Sequence, residues 1–120
     1  MSLDRFTSDG SVIGVSGLET GNLAVQMADL AQPAAGFLKA LSHEGRLMIL
    51  CHLSGGEKSV TELEDLLGQR QAAVSQQLAR LRLEGLVSTR REGKAIYYAI
   101  QDARVLELLR LLPELFARAA

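Results

Sequence analysis

Two short segments between residues 59 and 85 carry apolar residues at helical spacing. Ser59 and Glu62 open the first as a capping box, in which each side chain satisfies a backbone N–H at the start of a helix, and Gly68 ends it. The second ends at Gly85. The apolar positions are Val60, Leu63 and Leu67, then Val74, Leu78 and Leu81. Helices this short with so short a link cross steeply, so the pattern predicts a helix-turn-helix.

After residue 85 the pattern changes to the alternation of strands. Two runs rich in β-branched and aromatic residues, 86–91 and 95–100, predict an antiparallel pair, and Glu92-Gly93 predicts its two-residue turn. Three basic residues cluster at the tip: Arg90, Arg91 and Lys94. A helix-turn-helix followed by a basic-tipped hairpin predicts a winged helix, whose tip can reach DNA phosphates or a minor groove. The alternative is an edge hairpin whose charges keep the protein soluble.

The second helix of the pair presents a polar face opposite its apolar stripe. At about 100° per residue, Gln76 and Arg80 face outward together with two alanines. Gln71 and Ser75 flank them near the helix start. Small residues and amides can enter a major groove, where glutamine pairs with adenine through two hydrogen bonds. The alternative is an ordinary solvated face. The basic hairpin that follows favours the interpretation of this face as a DNA-contacting surface.

The two ends of the chain carry apolar patterns typical of subunit assembly. Between residues 22 and 41 the apolar positions step by four and three, as in the seam of two packed helices, and Pro33 predicts a kink or restart there. The last helix, near residues 102–119, is apolar around nearly its whole circumference and needs partners on two sides. The sequence therefore predicts a homodimer through its first and last helices, with a first helix lying on its own domain's core as the alternative.

Length and composition suit a single domain of the α+β class, mainly helical with a β-hairpin wing. Residues 1–20 are rich in Gly and Ser without a periodic apolar face and predict a flexible tail, which leaves residues 21–120 as the DNA-binding and dimerisation domain. No run approaches the roughly 18 apolar residues of a membrane span, and the start is unlike a signal peptide. We expect no membrane association, and a single cysteine fits a reducing cytoplasm.

The formal net charge of −1 conceals an uneven distribution. Residues 70–94 contain six basic and two acidic residues, a net of +4, whereas the rest of the chain carries a net of −5. A local basic stripe is the electrostatic footprint of DNA binding, and an acidic remainder moderates non-specific association. The distribution favours double-stranded operator DNA as the partner over a winged-helix protein-interaction module without specific DNA binding.

Four stretches of the sequence resemble the ArsR/SmtB family of bacterial repressors. They are LKALSHEGRLMIL at 38–50, SVTEL at 59–63, VSQQLARL at 74–81 and RREGKAIYY at 90–98, and the likeness covers about residues 36–116. The resemblance implies a homodimeric winged-helix repressor that leaves its operator when an effector binds. The turn departs from the family pattern, because Gln69 replaces an apolar residue and Arg70 replaces a capping serine. We expect a less rigid turn, with Arg70 touching a phosphate instead.

These interpretations together predict the residues that contact DNA in a transcriptional repressor. Base contacts are expected from Gln71, Ser75 and Gln76. Phosphate or wing contacts are expected from Arg70, Arg80, Arg90, Arg91 and Lys94.

Residues that could carry catalysis or hold a metal are sparse. No nucleophile–histidine pairing, phosphate loop or pair of acids stands at a plausible spacing, so the sequence argues against an enzyme. Cys51 and His52 point about 100° apart on a helix and cannot share one metal. The positions of the family's best-known metal sites carry no cysteine or histidine here. We therefore predict no metal and no cofactor, with a metal-responsive repressor as the alternative.

Cys51 is the candidate redox-sensing residue and lies in a predicted helix from His43 to Ser54, which Ser42 caps. The stretch ILCHL at 49–53 resembles the BigR, SqrR and HlyU type branch of the family, which responds to reactive sulfur or oxidants. The resemblance implies a second cysteine near the end of the last helix, where this chain has Ala117. Three explanations are then open. The alanine is an engineered substitution, the chain is a natural relative that has lost the switch, or the chain is a one-thiol sensor. Alternatively, Cys51 is a small apolar filler.

Overall fold

The computed structural model describes residues 22–119, and the predicted tail at residues 1–20 lies outside this range. The described chain divides into an N-terminal part that ends at Gly36 and a main unit that begins at Phe37. In chain order the elements are α1 (Asn22–Met27), α2 (Ala31–Leu41), α3 (Glu44–Leu53), β1 (Lys58–Ser59), α4 (Val60–Leu67), α5 (Gln71–Leu83), β2 (Val87–Glu92), β3 (Ala95–Ile100) and α6 (Ala103–Ala119). The predicted class, mainly helical with a β-hairpin wing, is confirmed.

The restart that Pro33 predicts occurs two residues before it. The chain turns at residues 28–30 and α2 begins at Ala31, so Pro33 falls in the first turn of the new helix. Proline is tolerated there because N–H groups of the first turn have no intrahelical acceptor. The backbone N–H of Ala34 then donates to the carbonyl of Leu30 at 2.9 Å. Proline therefore sets the start of α2 without breaking its hydrogen-bond ladder.

Helices α4 and α5 form the predicted helix-turn-helix. The Ser59 N–H donates to Glu62 Oε1 at 2.7 Å and the Glu62 N–H donates to Ser59 Oγ at 3.1 Å, so the capping box is complete. Gly68 ends α4 with φ at +65°, a left-handed conformation that glycine adopts without a Cβ clash. Arg70 occupies the N-cap position of α5 and gives it no side-chain hydrogen bond. The guanidinium of Arg70 therefore remains available to another partner.

The wing is a three-stranded antiparallel sheet in the order β1-β3-β2. Glu92 pairs with Ala95, which leaves Gly93 and Lys94 as the two-residue loop. The predicted turn at Glu92-Gly93 is therefore wrong by one residue, because Gly93, with φ at +62°, takes the first loop position and not the second. Lys94 consequently lies at the apex of the wing. Strand β1 has only two residues, too few for alternation to predict it.

The core of the main unit lies between its helices and the sheet. Its largest fully buried side chains are Ile49, Leu50, Leu63, Val74, Leu78, Leu81, Leu86, Val87 and Val105. The apolar stripe of α5 thus packs inward, as its spacing predicts, and Tyr98 and Ile100 of β3 pack against the same core. Burying this stripe fixes which face of α5 is left to the solvent.

Helix α3 begins with a different cap from the one predicted. The N-cap is His43 and the prediction of Ser42 is wrong: Nδ1 of His43 accepts from the backbone N–H groups of Gly45 at 3.0 Å and Arg46 at 3.4 Å. The Ser42 hydroxyl instead donates to the carbonyl of Lys39 at 2.9 Å, at the end of α2. An unprotonated ring nitrogen has the lone pair that a capping oxygen normally supplies, so histidine can satisfy the first N–H groups of a helix.

Helix α6 buries only part of its apolar circumference. Val105 is fully buried and Leu109 is 9 % exposed, so this side of the helix packs on the core of its own chain. The exposed apolar stripe of α6 consists of Leu111, Leu115 and Phe116. The helix continues through Pro113 to Ala119, so this proline does not start a new helix. Large apolar side chains grouped in water indicate a surface that packs against another molecule.

Candidate nucleic-acid interface

The start of α5 presents polar side chains that have no partner in the described chain. Gln71, Ser75 and Gln76 are exposed, and Arg70 stands directly before them. None of the four makes a side-chain hydrogen bond or ion pair within residues 22–119. Amides and hydroxyls are side-chain groups that can hydrogen-bond to base edges in a major groove, and the buried stripe on the opposite side of α5 holds these three outward.

Further along α5 the basic residues differ in their availability. Arg80 donates from Nε to Glu84 Oε2 at 3.1 Å, an i,i+4 ion pair that offsets part of its charge. Arg82 is exposed and forms no ion pair in the part of the chain that the structure describes. The sequence patterns predict no DNA contact for Arg82, although its place in the basic stripe at residues 70–94 could have indicated one. Leu83 is 81 % exposed, and nothing in the structure explains it.

Arg90 is engaged in the fold of the wing. Its guanidinium lies 2.6 Å from Glu57 Oε2 and 2.7 Å from Glu92 Oε1, and it stacks over the ring of Tyr97 at 4.7 Å from the centroid. Hydrogen bonds from Arg90 lower the pKa of the Glu57 carboxyl, and the two carboxylates raise the pKa of Arg90. Arg90 therefore ties the hairpin to the loop before β1, and it can contact a phosphate only by sharing or exchanging these partners.

The available charge of the wing comes from Arg91 and Lys94. Both side chains are exposed, and neither forms an ion pair among residues 22–119. Arg91 follows Arg90 on β2, and successive strand residues point to opposite faces, so Arg91 projects away from the Glu57 pair. Helix α5 packs against β2, so the reading helix and the hairpin are parts of one packed unit.

Cys51 lines a shallow cleft of about 320 Å³ between α3 and α6. Its other lining residues are Ser54, Leu106, Leu109, Arg110 and Pro113. The residue is exposed, yet partial desolvation in the cleft raises the pKa of the Cys51 thiol. Ala117 is one helical turn beyond Pro113 and is not among the lining residues.

Groups that could hold a metal do not gather in the described part of the chain. No cluster of three or more His, Cys, Asp or Glu side chains suited to a metal ion occurs among residues 22–119. Cys51 faces α6, whereas His52 lines a separate groove beside α4 and α5, so the two neighbours do not converge. None of the described helices combines the length and the apolar character needed to cross a membrane.

Comparison with known proteins identifies relatives of this chain in sequence and in structure. The sequence model of a family described as bacterial regulatory protein, arsR family, matches residues 43–89. The chain is 44 % identical over 90 residues to the biofilm growth-associated repressor of Xylella fastidiosa, covering 75 % of this chain and 79 % of that protein. It is 40 % identical over 94 residues to the transcriptional activator HlyU of Vibrio cholerae, covering 78 % and 87 %. The crystal structure of the transcriptional repressor BigR from Xylella fastidiosa superposes with a TM-score of 0.73 at 44 % identity, covering 76 % and 93 %.

Proposed function

Because the chain belongs to the ArsR family of bacterial regulatory proteins, we propose that it represses transcription by binding a palindromic operator as a homodimer. The family and the relatives are transcriptional regulators, so this chain is a DNA-binding regulator and not an enzyme. The observation that carries the proposal is the set of unpartnered amide and hydroxyl groups at the start of α5. Repression is chosen over activation because the relative with the higher identity is a repressor. Because operator DNA is the proposed partner, the proposed location of the protein is the bacterial cytoplasm.

The proposed contacts divide into those that specify sequence and those that position the protein. Gln71, Ser75 and Gln76 read base edges, since their donors and acceptors are free in the described chain. Cations without an ion pair among residues 22–119 can bind phosphates regardless of sequence. These are Arg70, Arg82, Arg91 and Lys94. Arg80 and Arg90 contribute more weakly, because Glu84, Glu57 and Glu92 already pair with them.

The proposed dimer uses the apolar surface that one chain leaves in water. The exposed stripe of α6 supplies three large side chains, and α1 by itself also exposes Leu23 at 64 % and Val25 at 72 %. Family members usually act as dimers, and a two-fold interface buries the same patch of both subunits. Aromatic anchors contribute most to such interfaces, which makes Phe116 the residue of greatest interest.

The geometry of the operator tests this proposal. Two reading helices related by a two-fold axis require half-sites about one helical turn apart, near 10 base pairs centre to centre, or a multiple of it. Selection from random duplexes followed by hydroxyl-radical footprinting is expected to give an imperfect palindrome with symmetric protection. Inserting about five base pairs between the half-sites rotates one of them to the opposite face of the duplex and is expected to abolish tight binding. Unchanged affinity after that insertion contradicts the dimer.

A second candidate function, response to reactive sulfur or oxidants, is supported by the position of Cys51 in the cleft between α3 and α6. A thiol reacts through its thiolate, and the raised pKa of Cys51 leaves little thiolate at neutral pH. The adjoining helix contributes Pro113 and Arg110 to the cleft, with no second sulfur. We therefore propose that this chain has the site of a thiol switch without the second thiol that would complete it.

Polysulfide or peroxide is expected to change operator affinity little in this chain. Substituting Ala117→Cys is expected to introduce a response if the two Cα atoms lie within the roughly 7 Å that a disulfide spans. The measurement is operator affinity before and after treatment, with Cys51→Ser as the unreactive control. If the unmodified chain responds strongly and Cys51→Ser does not, Cys51 is a one-thiol sensor. That result refutes the proposal that the switch lacks its second thiol. If Ala117→Cys forms no disulfide with Cys51, Ala117 does not correspond to the second cysteine of the redox-responsive branch.

A further inference from the structure

Arg46 of α3 connects the end of α2 to the reading helix α5. Its Nε donates to the carbonyl of Ala40 at 2.6 Å, and its Nη2 lies 3.4 Å from the carbonyl of Lys39. Its Nη1 donates to Oε1 of Gln77 at 3.0 Å. The last carbonyls of a helix lack intrahelical donors, so a guanidinium placed there satisfies them and carries favourable charge at the negative end of the helix. One half-buried side chain of α3 therefore contacts two further helices, α2 and α5.

The orientation of the Gln77 amide follows from its neighbours. Nδ1 of His43 accepts the backbone N–H groups that open α3, so the proton of the neutral ring is on Nε2. That Nε2 lies 3.4 Å from Nε2 of Gln77, and two donors do not bond to each other. Oε1 of Gln77 faces Arg46, which leaves the Arg46 bond as the side-chain hydrogen bond that orients this amide. Gln77 is thus held by Arg46.

Gly45 allows this arrangement at the start of α3. A Cβ at residue 45 would stand 3.1 Å from Cε1 and 3.2 Å from Nδ1 of His43, closer than ordinary packing distances. The absence of a side chain lets the imidazole lie over the first turn of the helix. The ring also lines the groove that reaches Gln77, together with Ala73 of α5.

The inner face of α5 otherwise makes apolar contacts. Val74, Leu78 and Leu81 are fully buried, and burial of apolar surface is strong but non-directional. A hydrogen bond adds what burial lacks, a preferred rotation and axial position of the helix. Gln76 directly precedes Gln77 on the helix, so the bond that holds Gln77 also fixes the position of Gln76.

We propose that Arg46 and Gln77 are positioning residues for sequence recognition, which hold α5 at the depth and rotation that base reading requires. The inference rests on the proposed function, because it presumes that Gln76 and its neighbours read base edges. Neither residue is assigned a contact with DNA. Removing the Arg46–Gln77 bond is expected to lower the preference for operator over random DNA while leaving phosphate binding unchanged.

The test compares Gln77→Met, which removes the acceptor but keeps the length, with Gln77→Glu, which keeps an acceptor for Arg46. Gln77→Met is expected to lower the ratio of operator to random-DNA affinity about tenfold, with the same salt dependence, since no phosphate contact is lost. Gln77→Glu adds a negative charge that weakens binding to operator and random DNA alike. It is therefore expected to keep the ratio of operator to random-DNA affinity within about twofold of the unmodified chain. Gln101→Met, at an exposed position outside the network, is the matched control.

A double variant separates positioning from a general loss of stability. If the bond is the cause, Arg46→Met with Gln77→Met is no worse in the operator ratio than Arg46→Met alone, because Arg46→Met already removes the bond to Gln77 together with the bonds to α2. An unchanged ratio in Gln77→Met, or an equal loss in Gln77→Glu, overturns the inference. So does a double variant whose losses add. If the unmodified chain itself shows no operator preference, the proposed function fails, and that result is distinct from a failure of the positioning role.

Discussion

Phe116→Glu is expected to convert the dimer into a monomer. Phe116 is 69 % exposed in the single chain, so a carboxylate there is solvated in the monomer but desolvated and unpaired in the interface. Loss of an aromatic anchor alone typically weakens an interface by about 100-fold, and the buried charge adds to this. A monomer holds one half-site, so operator affinity is expected to fall by orders of magnitude while random-DNA binding falls far less. Sedimentation equilibrium and operator titration at matched protein concentration measure both effects.

Two matched variants serve as controls for Phe116→Glu. Gln101→Glu adds the same charge at an exposed position just before α6 and is expected to leave the dimer intact. Leu109→Glu places the charge in the chain's own core and is expected to unfold the protein, which separates core from interface on one helix. If Phe116→Glu remains a dimer with full operator affinity, the exposed stripe of α6 is not the subunit interface.

Gln76→Ala is expected to lose preference for the operator while keeping its affinity for random DNA. A bidentate amide–adenine contact discriminates by about 1–3 kcal/mol per base, or roughly 5- to 150-fold in affinity. The Gln76 side chain is exposed on α5 and makes no hydrogen bond within residues 22–119, so truncating it breaks no side-chain contact of the fold. The substitution is expected to change the free energy of unfolding by no more than about 0.5 kcal/mol. Competition of labelled operator by unlabelled operator and random duplexes gives the ratio directly.

Ala79 supplies the control for this result, because it also lies on the outward side of α5 and has no polar group to lose. Ala79→Ser changes that surface without removing an amide and is expected to alter the operator ratio less than Gln76→Ala. If Gln76→Ala leaves the ratio intact, base reading belongs to other residues of the surface, with Gln71 and Ser75 as the remaining candidates.

Local signals in the sequence predicted most of the fold. The capping box at Ser59 and Glu62, the left-handed Gly68 and the stripe of α5 are all determined by residues within one or two turns, and each is present. The outward face of α5 follows from the same periodicity, so the exposure of Gln71, Ser75 and Gln76 could be predicted. The hairpin was predicted too, with a turn misplaced by one residue because either assignment leaves a glycine in the loop.

Contacts between residues distant in sequence could not be predicted in this way. The Arg90–Glu57 pair joins residues 33 positions apart, and the Arg46–Gln77 bond joins residues 31 positions apart. Periodicity reports which face of an element is apolar, and it does not report which polar groups on different elements meet. The sequence therefore predicts equivalent roles for Arg90 and Arg91, whereas the fold pairs Arg90 with Glu57 and leaves Arg91 without an ion pair in the described part of the chain.

The apolar residues of α6 also could not be assigned to the core or to the surface from the sequence. The sequence shows that one small core cannot bury every side, but spacing alone does not say which leucines face that core. Packing resolves it, with Val105 and Leu109 on the core and Phe116 in water. This sorting is what makes Phe116 and not Leu109 the informative position for testing assembly.

The most direct test of the central claim, that α5 specifies the sequence and the wing positions the protein, is a salt titration of Gln76→Ala and Arg91→Ala side by side. Operator and random-DNA affinities are measured for both variants and the unmodified chain. Gln76→Ala is expected to lose the operator ratio and keep the salt dependence. Arg91→Ala is expected to weaken both DNAs alike and to reduce the slope of log affinity against log salt by about 1 per subunit. If the two variants behave alike, the assignment of reading helix and wing is wrong.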